Sequence, residues 1–140
     1  MIQLNTQELI EKFRKNGYKA TSQRLAISKL ILSRKDHPSA DQIYQDLKEE
    51  FPTISLATIY NTLRILVELG LIQELGFNEG SIRYDPYMEL HINLICSKCG
   101  KIEDYEAENF KKLWNDIITN LGLKTTGQRI DIYYECEYCK

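Results

Sequence analysis

Through the first seventy residues apolar side chains recur at intervals of three and four, the mark of helices with one buried stripe. Leu9, Ile10 and Phe13 share a face; Thr6 stands where that helix would be capped and Gly17 where it would stop. Thr21 or Ser22 opens a second helix carrying Ala26, Ile27, Leu30 and Ile31. Ser39, with Gln42 three residues on, forms a capping box. The third helix therefore starts there, aligns Ile43, Leu47 and Phe51, and ends at Pro52. Ser55 caps a fourth, running to about Leu69, that buries Ile59, Leu63 and Leu66 and stops at Gly70.

Beyond Gly70 the period shortens to two. Leu71 to Leu75 and Ser81 to Asp85 read as short strands joined by the turn-rich Gly76-Phe-Asn-Glu-Gly80. Helices followed by a hairpin is the order of a winged helix, in which the fourth helix enters the major groove and the hairpin is the wing. Pro86 to Leu90 reads as a hinge. The second half then gives a strand at His91–Ile95, a strand near Lys101–Tyr105, and an amphipathic helix. That helix places Phe110, Leu113, Trp114, Ile117, Ile118 and Leu121 on one face before Gly122, and Arg129–Tyr134 makes the last strand. The expected fold class is α+β: a winged-helix DNA-binding domain over residues 1–85, a hinge over 86–90, and a small α/β dimerisation domain over 91–140. Three strands and one helix bury too little to be stable alone. A metal and a second copy of the chain would make up the difference.

The chemistry starts with cysteine. The chain has four, arranged as Cys96-Ser-Lys-Cys99 and Cys136-Glu-Tyr-Cys139. Two C-x-x-C pairs supply four thiolates from two tight turns, which closes a tetrahedral Zn²⁺ site with no open position. Gly100 allows the positive φ that such a turn needs. A closed site holds a fold together and leaves no position for catalysis. Two redox dithiols or two disulfides are the alternatives. Neither pair sits in a Trp-Cys-Gly-Pro-Cys context or opens a helix that would activate a thiol, which weighs against a thiol oxidoreductase. No apolar run of about 18 residues is present to span a bilayer and the N-terminal residues are polar. The cytoplasm, where thiols stay reduced, is the expected location, with no membrane partner.

Charge adds a second theme. A total of −2 argues weakly against nucleic acid, but residues 1–35 carry eight Lys/Arg against two Glu, a local +6 that leaves −8 for the rest. Lys15, Lys19 and Arg24 belong to this basic segment, an electrostatic footprint for a polyanion. On the fourth helix the buried stripe leaves Thr58, Tyr60, Asn61 and Arg64 facing outward, with Ser55 at its start. A Tyr ring can press on a thymine methyl, Asn can pair with adenine, and Arg can take a guanine edge or a phosphate. A solvated polar helix face is the plainer alternative.

The segments His37-Pro-Ser-Ala-Asp41-Gln-Ile-Tyr, Ser55-Leu-Ala-Thr-Ile-Tyr-Asn-Thr-Leu63 and Arg83-Tyr-Asp85, with His91 and both C-x-x-C pairs, occur in order along nearly the whole chain. Together they resemble the ferric uptake regulator family. The resemblance implies a homodimeric, metal-dependent transcriptional repressor of a palindromic operator, with structural zinc on the four cysteines. Asn61 is similar to the peroxide-sensing branch, where iron-sensing members tend to carry Arg. No enzymatic activity is expected.

A regulatory Fe²⁺ or Mn²⁺ is the further implication. His37 and His91 are the only histidines, and with Asp85 and Asp104 they make an N₂O₂ set drawn from both domains. Peroxide-type members continue with a second His two residues after the first; here that position is Asn93. Strand alternation points Asn93 at the same site as His91. A five-ligand site with a weaker amide oxygen, a four-ligand site completed by water, and no regulatory metal all stay open. The function expected is a metal-dependent repressor responding to peroxide. The alternatives are an iron or manganese sensor without peroxide chemistry and a winged-helix regulator with structural zinc only.

Overall fold

A computed structural model describes residues 4–76, 82–125 and 127–139. It divides into two compact units, Met1–Met88 and Glu89–Lys140.

The first unit holds helices α1 (Thr6–Lys15), α2 (Ser22–Ser33), α3 (Ala40–Leu47) and α4 (Leu56–Glu68), then a hairpin of β1 (Gln73–Leu75) and β2 (Arg83–Asp85). Local chemistry accounts for the boundaries. Asn5, not Thr6, caps α1: its side chain accepts from the Glu8 N–H while Glu8 reaches back to the Asn5 N–H. Asn ranks at least with Thr as a cap, and the reciprocal Glu bond settles the choice. Thr21 caps α2, and Ser39 with Gln42 forms the capping box that starts α3. α3 ends at Leu47, short of Phe51 and Pro52, and the chain passes through a turn before Ser55 caps α4. At the end of α4, Gly70 adopts φ +72, so that its N–H reaches Val67 O and the Leu71 N–H reaches Leu66 O. That pair of bonds satisfies the last carbonyls of the helix and turns the chain into the hairpin.

Between the helices sits one apolar core that includes Leu9, Phe13, Ile27, Ile31, Ile43, Ile59, Leu63 and Leu66. Each such side chain contributes about 1.5–3 kcal/mol when taken fully out of water. Tyr84 of β2 joins this core and anchors the hairpin on the helices. Gln73 pairs with Asp85 and Leu75 with Arg83 across it. Both strands are shorter than expected, and residues 77–81, where the connecting loop and the start of the second strand were expected, lie outside the described residues.

The second unit is a three-stranded sheet of order β4-β3-β5, where β3 is Ile92–Cys96, β4 Ile102–Tyr105 and β5 Ile130–Tyr134. β3 runs antiparallel to β4 and parallel to β5, with helix α5 (Glu108–Leu121) as the crossover between β4 and β5. Each strand begins one residue later than the hydrophobic pattern suggested, so His91 precedes β3. Few apolar residues are buried: Ile95, Cys96, Ile102 and Cys136. No described residue of α5 is buried, and Leu113, Ile117 and Leu121 of its apolar stripe stay exposed. Among the described residues, no helix is long and apolar enough to cross a membrane.

Candidate metal centres and nucleic-acid interface

The four cysteines meet because β3 and β5 lie side by side. Cys96 ends β3 opposite Tyr134, and Cys136 follows two residues after Tyr134. Cys99 closes the first turn, where the Gly100 N–H reaches Cys96 O at 2.9 Å. Cys139 closes the second, a single 3₁₀ turn, Glu137–Cys139. All four sulfurs lie within 4.8 Å of one another, with Cys99 and Cys136 at 3.7 Å, and none forms a disulfide. Tetrahedral zinc with bonds of about 2.3 Å separates its sulfurs by about 3.8 Å. Protonation chemistry agrees. Backbone N–H groups of Cys99 and Cys136 pull the Cys96 thiol down to about 6. Hydrogen bonds with the Cys136 and Cys99 sulfurs hold the Cys139 proton and push that thiol up to about 12. A thiolate is welcome at Cys96, whereas one at Cys139 calls for a dication to neutralise it.

The expected regulatory ligands fall into two groups, one in each unit. In the first unit His37 and Asp85 are both buried, with His37 Nε2 3.4 Å from Asp85 Oδ2. Asp85 ends β2, and its other oxygen accepts from the Tyr87 N–H at 2.9 Å. His37 follows four residues after α2, which stops at Ser33. It lies in the connection to α3 with φ +52. That left-handed backbone is held from the wing: Arg83 donates through Nε to His37 O and through Nη2 to Asp36 O, and the Tyr84 N–H donates to Pro38 O.

In the second unit, His91 Nδ1 donates to Glu89 O at 2.8 Å. A neutral ring then offers a lone pair at Nε2. That atom meets Asn93 Oδ1 at 3.0 Å and Asp104 Oδ1 at 3.3 Å. Three lone-pair atoms converge, which calls either for a second proton on the ring or for a cation. Metal bonds of about 2.2 Å at right angles place neighbouring donors about 3.1 Å apart. The donor set fits a first-row divalent ion. Asn93 is 1% exposed and faces the same point as His91.

On α4 the structure brings Thr58, Tyr60, Asn61 and Arg64 to the accessible side, Tyr60 being 48% exposed and Arg64 exposed. Ser55 Oγ accepts from the Thr58 N–H at 3.1 Å and also contacts the Thr58 hydroxyl. Arg64 is held on two sides, donating to Asn61 Oδ1 at 2.7 Å and to Glu68 at 2.6 Å. Tyr18 donates its hydroxyl to the same Glu68 carboxylate at 2.7 Å. These bonds, Tyr18 first and Arg64 second, hold the Glu68 carboxyl below its usual range. The Arg64–Glu68 spacing of four was legible in the sequence; the Tyr18 contact, fifty residues away, carried no signal. Lys15 and Lys19 are exposed on α1 and the connection after it, and Arg24 Nη1 donates to Lys19 O at 2.9 Å.

Comparison with known proteins gives the family and the fold. Residues 15–133 match the Ferric uptake regulator family. The peroxide-responsive repressor PerR of Staphylococcus epidermidis is 39% identical over 134 residues, covering 96% of this chain and 89% of the relative. The Campylobacter jejuni peroxide stress regulator, of solved structure, is 36% identical with a TM-score of 0.74, covering 94% of this chain and 99% of its own. The Helicobacter pylori ferric uptake regulator shares the fold, with a TM-score of 0.81 at 22% identity over 99% and 97% of the two chains. The chain belongs to the ferric uptake regulator family.

Proposed function

We propose that this protein is a metal-dependent transcriptional repressor whose hold on DNA is released by peroxide. The observation that carries the reading is the division of the candidate ligands between the two units. His37 and Asp85 belong to the unit with the reading helix; His91, Asn93 and Asp104 belong to the unit with the four cysteines. One Fe²⁺ or Mn²⁺ taken by both groups would fix the DNA-reading unit relative to the other. Binding to the joined state would shift the population toward it. Zinc on Cys96, Cys99, Cys136 and Cys139 holds the second unit together in this reading. Relatives named for their response to peroxide support peroxide as the signal.

A homodimer completes the arrangement. Leu113, Ile117 and Leu121 of α5, with Ile132 and Tyr133 of β5, are large and exposed on a unit whose own core is thin. A second copy of the chain would cover them, and two reading helices would then meet two half-sites of a palindromic operator. Thr58, Tyr60, Asn61 and Arg64 would read bases; Ser55, Lys15, Lys19 and Arg24 would contact phosphates. Such a regulator works in the cytoplasm and is not an enzyme.

In peroxide sensing, the O–O bond of hydrogen peroxide would break, one oxygen adding to the imidazole of His37 or His91 and the other leaving as water, and the damaged ligand would no longer join the two groups. The deciding experiment loads the zinc protein with Fe²⁺, adds hydrogen peroxide, and follows operator affinity and peptide mass together. The reading expects one added oxygen on a peptide containing His37 or His91, in step with loss of DNA binding, and no change with Mn²⁺. A second outcome favours the other reading: metal-dependent DNA binding with both histidines unmodified makes the protein a metal sensor. Asn93, an amide where the peroxide branch has imidazole, is the residue that gives this second reading its weight.

A further inference from the structure

The sheet of the second unit carries a polar row across its three strands. Asn93 pairs in register with Asp104 on β4 and with Asp131 on β5, so one amide lies between two carboxylates. An amide is asymmetric and must present oxygen one way and nitrogen the other. Asn93 Nδ2 donates to Asp131 Oδ1 at 3.0 Å, and Asn93 Oδ1 faces His91 Nε2 at 3.0 Å. Asp131 is itself held by a two-point contact: Arg129 Nε donates to Oδ1 at 3.1 Å, and Arg129 Nη2 lies 2.8 Å from Oδ2.

We infer that Asp131, fixed by Arg129, is a positioning residue that turns the carbonyl oxygen of Asn93 toward the regulatory metal and so makes an amide serve where an imidazole is expected. The inference rests on the reading of His91, Asn93 and Asp104 as metal ligands. Its physical basis is the acceptor-only character of an ionised carboxylate. The opposite amide orientation would set Oδ1 against Asp131 oxygen lone pairs and would aim an N–H₂ group, which cannot ligate, at the metal. Asp104 cannot make the choice, because it faces His91 at 3.3 Å and would accept an N–H as readily. Asp131 lies outside the group of donors that meet His91 Nε2. Its action is through Asn93, in the way that carboxylates behind ligand histidines set ring orientation.

The test is a double-mutant cycle on zinc-loaded, full-length protein without DNA, with Mn²⁺ affinity read from the electron paramagnetic resonance signal of free Mn²⁺. Loss of such an outer partner typically weakens metal binding about 10–100-fold. Asp131→Ala is expected to weaken Mn²⁺ by about tenfold in the parent and by less than about twofold in an Asn93→Ala background. A merely structural Asp131, pairing with Arg129 to steady β5, would give the same loss in both backgrounds, and that result overturns the inference. Unchanged affinity of Asp131→Ala in the parent overturns it too. If Asp131→Ala loses zinc or fails to fold, Asp131→Asn replaces it in the same cycle. That change is isosteric but can meet Asn93 with either an oxygen or an N–H, and a loss of about threefold confined to the Asn93 protein is expected. Failure of the underlying site looks different: His91→Ala and Asn93→Ala would then bind Mn²⁺ as tightly as the parent.

Discussion

Arg83→Met separates the backbone that presents His37 from the imidazole itself. His37 holds φ +52, a conformation that costs an L-residue roughly 1–2 kcal/mol. Arg83 opposes that cost with two hydrogen bonds from a charged donor to consecutive carbonyls, Asp36 O at 3.3 Å and His37 O closer. Charge-assisted bonds are worth about 1.5–3 kcal/mol each when well made. One is long and Asp36 is exposed, so about 2 kcal/mol for the pair is reasonable. The backbone bond from the Tyr84 N–H to Pro38 O survives the substitution. Set against strain of about 1 kcal/mol, the clamp leaves the loop in place by about 1 kcal/mol, a population near 85%. Without it the balance reverses, the competent fraction falls to about 15%, and apparent Mn²⁺ affinity drops about fivefold. Met keeps the length and the apolar stem, so the Tyr84 anchor of the wing should persist. Calorimetric titration of Mn²⁺ into zinc-loaded protein gives the affinity, and urea unfolding should report a loss of about 1 kcal/mol, because the released loop limits the cost. An Arg83→Met protein that lost this stability but bound Mn²⁺ like the parent would show that the loop geometry of His37 does not limit the metal site.

Cys136→Ser removes one ligand from a site whose binding energy is on the order of 10–16 kcal/mol, so zinc content should fall and the second unit should unfold; a zinc-free yet folded dimer by gel filtration would remove the structural role. Asn61→Ala should cost roughly 1–3 kcal/mol on the preferred operator and relax one base position, whereas Lys15→Ala should weaken all sequences alike and reduce the salt slope by about one. Retained sequence preference in Asn61→Ala, seen by binding-site selection, would displace Asn61 from base reading. Leu121→Glu acts on a side chain that is 54% exposed in the single chain. If a symmetric partner buries it twice at about 2 kcal/mol each, the dimer constant should weaken about a thousandfold, and an unchanged sedimentation equilibrium would move the interface elsewhere.

Patterns that act within a few residues were legible in the chain. Ser39 with Gln42, Thr21, Ser55 and Gly70 fixed three helix starts and one stop, because a cap is satisfied by backbone groups next to it. The apolar stripes gave the helical core, and two C-x-x-C spacings foretold a tetrahedral sulfur set, since two ligands from one turn are local geometry. Boundaries slipped where two local signals competed, as with Asn5 against Thr6, and where a stripe ran on past the last helical turn, as with Phe51. The long-range contacts needed the fold. Arg83 reaches His37 across forty-six residues, Tyr18 reaches Glu68 across fifty, and Asp131 reaches Asn93 across thirty-eight. Spacing in the chain says nothing of these, because strand register and helix packing decide which side chains become neighbours. Alternation alone could aim Asn93 at the side of the sheet that His91 uses. Only the pairing of β3 with β5 set a carboxylate behind its amide and so determined which end of Asn93 the site receives.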